Sequence, residues 1–193
     1  MRTDLQFDDA HIRGAVCNPA VRAGFGTKLA WVADRDRAVV LIGRDDADAL
    51  HAAHLAASVG ITNIAGYLAG GMTSWREEKR PTERVERIDV PALHDRAHEV
   101  QLLDVRGQNE WNAGHVPGSL HAPYHDIDAI PEGIDPSSPV AVICSSGQRS
   151  AVAASLLLRH GAQQVIHVAD GGVGTWAKQG WPIEEPQAAG TKV

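Results

Sequence analysis

Short apolar runs alternate with segments of helical periodicity along the second half of the chain. These runs predict three buried strands, at residues 101–105, 140–143 and 164–168. Between the last two runs, residues 150–160 place Val152, Leu156 and Leu157 on one side of a predicted helix. Strands that alternate with helices in this way predict an α/β fold, with a parallel sheet and helices on both of its faces.

The same pattern occurs earlier in the chain, which indicates an internal repeat. One group of positions recurs at an offset of 101 residues, as between Trp75 and Trp176. A second group recurs at an offset of 104 residues, as between His11 and His115. Further matched pairs are Val39 with Val140, Gly60 with Gly161, Gly70 with Gly171, Gly14 with Gly118 and Pro19 with Pro123. Two copies of one α/β unit therefore make up the chain.

A charged segment that contains Pro81 separates the two copies, at about residues 77–88. We therefore predict one domain at residues 1–80 and a second at 81–193, the latter including the linker. At the offset of 104, Asp104 would align with a position ahead of Met1, so the first strand of copy one is missing from the sequence. This predicts either a fragment of a longer protein or a first unit that lacks an edge strand.

A lone thiol follows the second predicted strand of copy two. Cys144 comes directly after the run at 140–143, and a small, flexible loop leads to Arg149 and the predicted helix. Backbone N–H groups at a helix start are unpaired and carry partial positive charge, so they bind anions and favour thiolate over thiol. With the cation of Arg149, this pattern predicts a nucleophilic cysteine. The alternative is a buried, inert cysteine at a strand end.

The first copy lacks the residues that this chemistry needs. Gly43 stands at the position of Cys144 and Asp48 at that of Arg149, with further acidic residues between them. We therefore predict that copy one is inactive. The second cysteine of the chain, Cys17, is predicted to be a core residue.

Composition excludes several classes of function. The net charge of −6 and the pI of about 5.9 argue against nucleic acid as the main partner. No apolar stretch approaches the roughly 20 residues that span a bilayer, so no membrane partner is predicted. Two cysteines in the whole chain fit a reducing, cytoplasmic location. The ten histidines show no convincing metal-ligand spacing, and neither a metal nor another cofactor is predicted.

Four motifs of the second half resemble those of the rhodanese domain, the sulfurtransferase module. They are Asp104-Val105-Arg106, the segment at 110–119 (EWNAGHVPGS), the six-residue loop Cys144 to Arg149, and the segment at 170–176 (DGGVGTW). The resemblance spans about residues 90–185, and the first half resembles a degenerate rhodanese domain. It implies two tandem rhodanese-like domains, each a parallel sheet with helices on both faces. It also fits the rhodanese part of a metallo-β-lactamase–rhodanese fusion.

The resemblance implies a sulfurtransferase that works through a persulfide on Cys144. Its donor would be a small sulfur-containing anion such as thiosulfate, or a low-molecular-weight persulfide. Its acceptor would be cyanide, a thiol or a protein. The loop residues expected to bind donor and persulfide are Ser145, Ser146, Gly147, Gln148, Arg149 and Ser150. For Asp104, Arg106 and Glu110 we expect a supporting role, which braces the loop and neighbouring strands.

Two other functions compete with this interpretation. A cysteine phosphatase or arsenate reductase of related fold would have a loop one residue longer than the four residues between Cys144 and Arg149. The shorter loop predicts a pocket too small for a tetrahedral phosphate. Alternatively, the chain is a sulfur-carrying or docking regulatory module of a larger fusion protein, an interpretation that the inactive first copy favours.

Overall fold

The chain divides into two units, one through Arg84 and one from Val85 onward. The structure, a computed structural model, describes residues 2–20 and 24–185. The first unit contains α1 (Asp4–Asp9), α2 (Phe25–Val32), β1 (Val39–Leu41), α3 (Asp46–Ala57), β2 (Ile64–Tyr67) and α4 (Gly71–Glu77). The second contains β3 (Glu86–Ile88), α5 (Val90–Arg96), β4 (Gln101–Asp104), α6 (Gln108–Asn112), β5 (Leu120–His121), a short 3₁₀ helix (Tyr124–Asp126), β6 (Val140–Ile143), α7 (Gln148–Arg159), β7 (Val165–Val168) and α8 (Val173–Lys178).

The second unit is built on a five-stranded sheet in which every pairing is parallel. The strand order is β3-β7-β6-β4-β5. Every residue of β6 and β7 is buried, as expected for central strands that are covered on both faces. Ala141 and Ile143 share a core with Leu93 of α5 and Trp176 of α8. The alternate residues of β6 point to the opposite face, and α7 packs against β6 and β7. The predicted α/β fold is confirmed.

The predicted elements of this unit lie close to the observed ones. The strand predicted at 140–143 has the same bounds as β6, and those predicted at 101–105 and 164–168 differ from β4 and β7 by one residue. Helix α7 begins at Gln148, two residues before the predicted start. Arg149 therefore lies in the first turn of a helix rather than in the loop.

The first unit has a smaller sheet. Strands β1 and β2 pair in parallel, and no further strand occurs among its described residues 2–20 and 24–84. A core between α2 and α3 contains Phe25, Leu29 and Ala56, and Val39 and Ile64 of the two strands pack against it. Parallel pairing requires a crossover, and α3 provides it here.

The internal repeat is visible in the contacts of the two units. An aromatic ring stacks on a histidine in each, with centroid distances of 4.1 Å for Phe7–His11 and 3.5 Å for Trp111–His115. Both histidines form an isolated antiparallel bridge, to Glu83 and Glu184 respectively. The indole N–H of Trp75 and that of Trp176 each donate to a proline carbonyl six residues on, at 2.9 Å. These pairs keep the offsets of 101 and 104, which supports the duplication of one unit.

Cys17 is buried as predicted, and burial raises the pKa of its thiol well above the usual value, so it remains a protonated core residue. Within the part of the chain that the structure describes, no helix is both long and apolar enough to cross a membrane.

Candidate active site

The thiol of Cys144 lies between the end of β6 and the start of α7, at the carboxyl edge of the sheet. The Cys144 residue has no exposed surface, whereas Ser145 and Ser146 after it are exposed. Gly147 closes the loop with a φ of 87°, a left-handed conformation that favours glycine. The apolar run of β6 ends at Ile143, so Cys144 is the first residue of the tight turn that follows this buried strand.

Two backbone N–H groups and one hydroxyl contact the Cys144 sulfur. The N–H of Gly147 donates to Sγ at 3.2 Å and that of Ser146 at 3.5 Å. The Ser150 Oγ lies 3.5 Å from Sγ and donates to the Val168 carbonyl at 3.1 Å. Its lone pair can accept from the thiol, and its proton can turn toward the sulfur once the thiol proton has left. The loop therefore offers a sulfur anion two or three hydrogen-bond donors.

His167 holds the loop from the neighbouring strand. Its side chain is fully buried on β7, and its Nε2 donates to the Gly147 carbonyl at 2.8 Å. Because a carbonyl only accepts, this bond assigns the proton to Nε2. The contact holds the carbonyl of Gly147, the residue whose N–H points at the Cys144 sulfur. The sequence interpretation missed His167, although a histidine inside an apolar strand was a visible signal.

Gly172 allows α8 to approach the other side of the loop. A Cβ at this position would lie 2.0 Å from the Cys144 carbonyl oxygen and 2.6 Å from the Ser145 carbonyl carbon. The next residue, Val173, donates its N–H to that Cys144 carbonyl at 3.0 Å. In the sequence this glycine stood out only as part of the motif at 170–176. It is the point where the backbones of the loop and of α8 touch.

Arg149 is paired with Glu110 across the loop. Its two terminal nitrogens donate to the two Glu110 carboxylate oxygens at 2.5 and 2.7 Å, and Nη2 also donates to Ser145 Oγ at 2.9 Å. The hydrogen bonds from Arg149 lower the pKa of Glu110, which therefore stays ionised at neutral pH. Binding of an anionic donor by Arg149 stays a prediction.

Asp104 and Arg106 form a buried ion pair at the end of β4. Arg106 Nη2 donates to Asp104 Oδ2 at 2.6 Å and to the Gly114 carbonyl at 2.7 Å. Asp104 also accepts the Arg106 backbone N–H at 3.0 Å. Since Asp104 pairs with Ile143 in the sheet, this network ties the turn at Gly114 to the strand beside the thiol. The expected bracing role fits these contacts.

The remaining candidate residues contribute less to the geometry. Gln148 is the first residue of α7 and half-buried. His121 donates from Nε2 to the Arg106 carbonyl at 2.8 Å and stacks on Trp111, so it adds to the contacts that hold Arg106 in place.

Among the described residues, no group of three or more His, Cys, Asp or Glu side chains is arranged to hold a metal ion.

Comparison with known proteins decides the family. The family profile described as "Rhodanese-like domain" matches residues 1–78 and again residues 89–179, which together are most of the chain. The chain belongs to the rhodanese-like domain family. Both units are thus copies of one rhodanese-like domain, and the resemblance inferred from the sequence motifs is confirmed.

The chain is also similar to individual proteins. A protein described as a sulfurtransferase from Allochromatium vinosum is 33% identical over 106 residues, which are 53% of this chain and 98% of that protein. A rhodanese-related protein from Thermoplasma volcanium is 27% identical, with a TM-score of 0.46 over 51% of this chain and 97% of its own. A rhodanese-like domain protein from Staphylococcus aureus is 24% identical, with a TM-score of 0.47 over 53% and 100%. The family and the relative from Allochromatium support a sulfurtransferase-type function.

The equivalent loop of the first rhodanese-like unit is closed by an ion pair of its own. Arg44 Nε donates to Asp48 Oδ2 at 2.8 Å, and the Arg44 backbone N–H donates to the same oxygen at 3.3 Å. At the offset of 101, these positions match Ser145 and Arg149. Gly43 replaces the cysteine, and a Cβ there would lie 2.6 Å from the Asp45 carbonyl oxygen and 2.9 Å from the Asp48 Cβ. This loop has no room for a thiol.

Restoring a cysteine to the first unit is expected not to restore a reactive site. In a Cys144→Ser background, we expect Gly43→Cys to take up no sulfur from a donor, because its side chain clashes with the collapsed loop and Asp48 adds negative charge. Intact mass after incubation with thiosulfate measures this. Ala47→Cys, in the exposed first turn of α3, is the control for a thiol without a loop. Sulfur uptake by the Gly43→Cys variant at the wild-type rate would contradict the steric argument.

Proposed function

We propose that the chain is a sulfurtransferase that carries a sulfane sulfur as a persulfide on Cys144. The observation that supports this most directly is the pair of N–H groups, from Ser146 and Gly147, aimed at a single thiol at the start of α7. Such donors stabilise negative sulfur in the thiolate and in the persulfide alike. Membership of the rhodanese-like family and the relative described as a sulfurtransferase agree with this chemistry.

The proposed reaction has two steps that return the thiolate. The Cys144 thiolate attacks the outer sulfur of thiosulfate or of an organic persulfide, and a new S–S bond forms at Sγ. The old bond to that sulfur breaks, and sulfite or a thiolate leaves with the electron pair. In the second step, cyanide or an acceptor thiol attacks the terminal sulfur, and Cys144 leaves as thiolate.

Access to the thiol requires motion of the loop. Cys144 has no exposed surface in the structure, so a donor sulfur reaches Sγ only when neighbouring side chains move aside. Ser145 and Ser146 are the exposed loop residues, and Ser145 is bonded to Arg149. Small side chains at these positions leave room for a compact donor once that bond opens.

The stoichiometry of a single turnover tests the proposal. With excess thiosulfate and no acceptor, we expect one equivalent of sulfite per chain, and later addition of cyanide should give one equivalent of thiocyanate. Cys144→Ser should release none, while Cys17→Ser should behave as wild type because that thiol is buried and protonated. If a folded wild-type chain releases no leaving group with thiosulfate or with an organic persulfide, the docking module becomes the better interpretation.

A further inference from the structure

The segment between Cys144 and Ser150 contains a single charged side chain, and that side chain is already paired with Glu110. Arg149 is the only ionisable basic or acidic residue besides the thiol between Cys144 and Ser150. Three of the five N–H groups of its guanidinium donate to Glu110 and Ser145. An incoming anion therefore meets a neutral ion pair, not a free cation.

This ion pair differs from the bracing pair of Asp104 and Arg106. The side chains of Arg149 and Glu110 keep 24% and 42% of their surface exposed, whereas those of Arg106 and Asp104 keep 9% and 0%. A pair that keeps this much contact with solvent is screened more than a fully buried pair, and removal of one partner leaves a less strongly desolvated charge. Fold stability is thus a weak reason for a carboxylate at position 110.

The first unit offers an internal comparison for the role of Glu110. Glu110 accepts the backbone N–H of Gly107 at 3.2 Å and so caps the start of α6. At the offset of 104, Gln6 stands in this position and its amide oxygen accepts the Thr3 N–H at 3.0 Å to cap α1. Capping therefore needs an oxygen but no charge. The carboxylate occurs in the unit that has Arg149, and the neutral amide in the unit that has Asp48 there.

We propose that Glu110 selects the sulfur donor by its charge. This inference rests on the proposed sulfurtransferase function. With Glu110 ionised beside Arg149, a doubly charged donor such as thiosulfate is repelled by the carboxylate and must displace it to reach the guanidinium. A donor that carries one negative charge fewer is repelled less by the carboxylate. The site accordingly favours singly charged donors, and Glu110 is a specificity-determining residue that acts through Arg149.

A pair of donors that differ by one charge tests this selection. Thiosulfate and the methanethiosulfonate anion both present a sulfane sulfur on a tetrahedral sulfonyl sulfur, but a methyl group replaces one charged oxygen in the second. Attack by Cys144 releases sulfite from one and methanesulfinate from the other, with the same new S–S bond. The rate constant for persulfide formation is measured with each donor at fixed ionic strength, and their ratio is the readout.

Glu110→Gln is the decisive variant, because it keeps the capping oxygen that Gln6 provides in the first unit. We expect the ratio of the thiosulfate rate to the methanethiosulfonate rate to rise by about tenfold, the scale of one partly screened charge interaction. Glu110→Asp keeps the charge and should keep the wild-type ratio, even if both rates fall. Glu99→Gln removes an exposed charge elsewhere in the unit and should leave the ratio unchanged.

The outcomes separate this inference from the proposed function. If Glu110→Gln changes both rates by the same factor, or leaves both unchanged, Glu110 only braces the loop and the inference is wrong. Glu110→Ala must move the ratio in the same direction, which keeps the test valid if the glutamine variant folds poorly. If the folded wild-type chain forms no persulfide with either donor, the proposed function fails and the inference fails with it.

Discussion

Gly172→Ala is expected to slow sulfur transfer strongly and to destabilise the second unit. The added methyl group would lie 2.0 Å from the Cys144 carbonyl oxygen and 2.6 Å from the Ser145 carbonyl carbon. Both atoms belong to backbone, so no flexible side chain can move aside. The φ of Gly172 is 175°, which any residue adopts, and the cost is therefore steric. Relief of the clash must move either the loop or α8, and either shift displaces the N–H groups that face the thiol.

The expected loss for Gly172→Ala is large on both readouts. Overpacking of this kind costs roughly 1–3 kcal/mol or more in the free energy of unfolding. Donor-dependent sulfur uptake on Cys144 should fall by about two orders of magnitude, as for a catalytic geometry displaced by an ångström. Stopped-flow release of the leaving group and thermal unfolding measure the two effects.

Gly174→Ala is the matched control two residues away. Gly174 lies inside α8, and no atom lies within 4 Å of a Cβ built there. Alanine is a better helix former than glycine by about 0.8–1.0 kcal/mol, so this variant should be as stable as wild type or more so. Wild-type sulfur transfer by Gly172→Ala would show that the close backbone approach is not required.

Asp104→Ala is the second change with a large expected effect. It leaves the Arg106 guanidinium without its carboxylate partner, in a pair whose side chains keep 9% and 0% of their surface exposed. Removal of one member of a buried ion pair typically costs about 3–5 kcal/mol, because the other charge remains desolvated. The Arg106 backbone N–H also loses its acceptor. We expect loss of protection from hydrogen exchange in peptides that cover β4 and β6.

Two further variants show whether the cost comes from the unpaired charge. Asp104→Ala combined with Arg106→Leu removes both charges and should be less destabilising than Asp104→Ala alone. Glu86→Gln breaks the exposed pair with Arg96 and should change exchange little, because solvent screens that pair. If Asp104→Ala leaves exchange in β4 and β6 unchanged, the bracing role assigned to this pair is wrong.

The sequence predicted the elements of the second unit because their signals are local. The strand at 140–143 is a continuous apolar run, and the thiol follows it directly, so the position of Cys144 at the sheet edge could be inferred without any long-range contact. The start of α7 was less well predicted. Gly147 can begin a helix from a left-handed conformation, and Arg149 therefore joins the first turn instead of the loop.

The contacts that shape the site could not be predicted because they join distant segments. Glu110 and Arg149 lie 39 positions apart, and His167 reaches the Gly147 carbonyl from a strand 20 positions on. Periodicity gives the face of an element but not the partner of a side chain. The close approach of Gly172 depends on how α8 packs against the loop, which a pattern of glycines does not reveal.

The first unit shows the same limit. The repeat showed that the first unit has no cysteine at the position of Cys144 and no arginine at that of Arg149. These two differences predicted an inactive copy. The ion pair between Arg44 and Asp48, which places a carboxylate at the position of Arg149, became visible only in the structure.

The measurement that tests the central claim most directly is intact mass after incubation with a sulfane donor. Wild type and Cys17→Ser should each gain the mass of one sulfur atom, and cyanide should remove it, because the persulfide forms on Cys144. Cys144→Ser should gain nothing. Sulfur uptake that persists in Cys144→Ser would contradict the account, as would a wild-type chain that remains unmodified although Cys144 reacts with an alkylating agent.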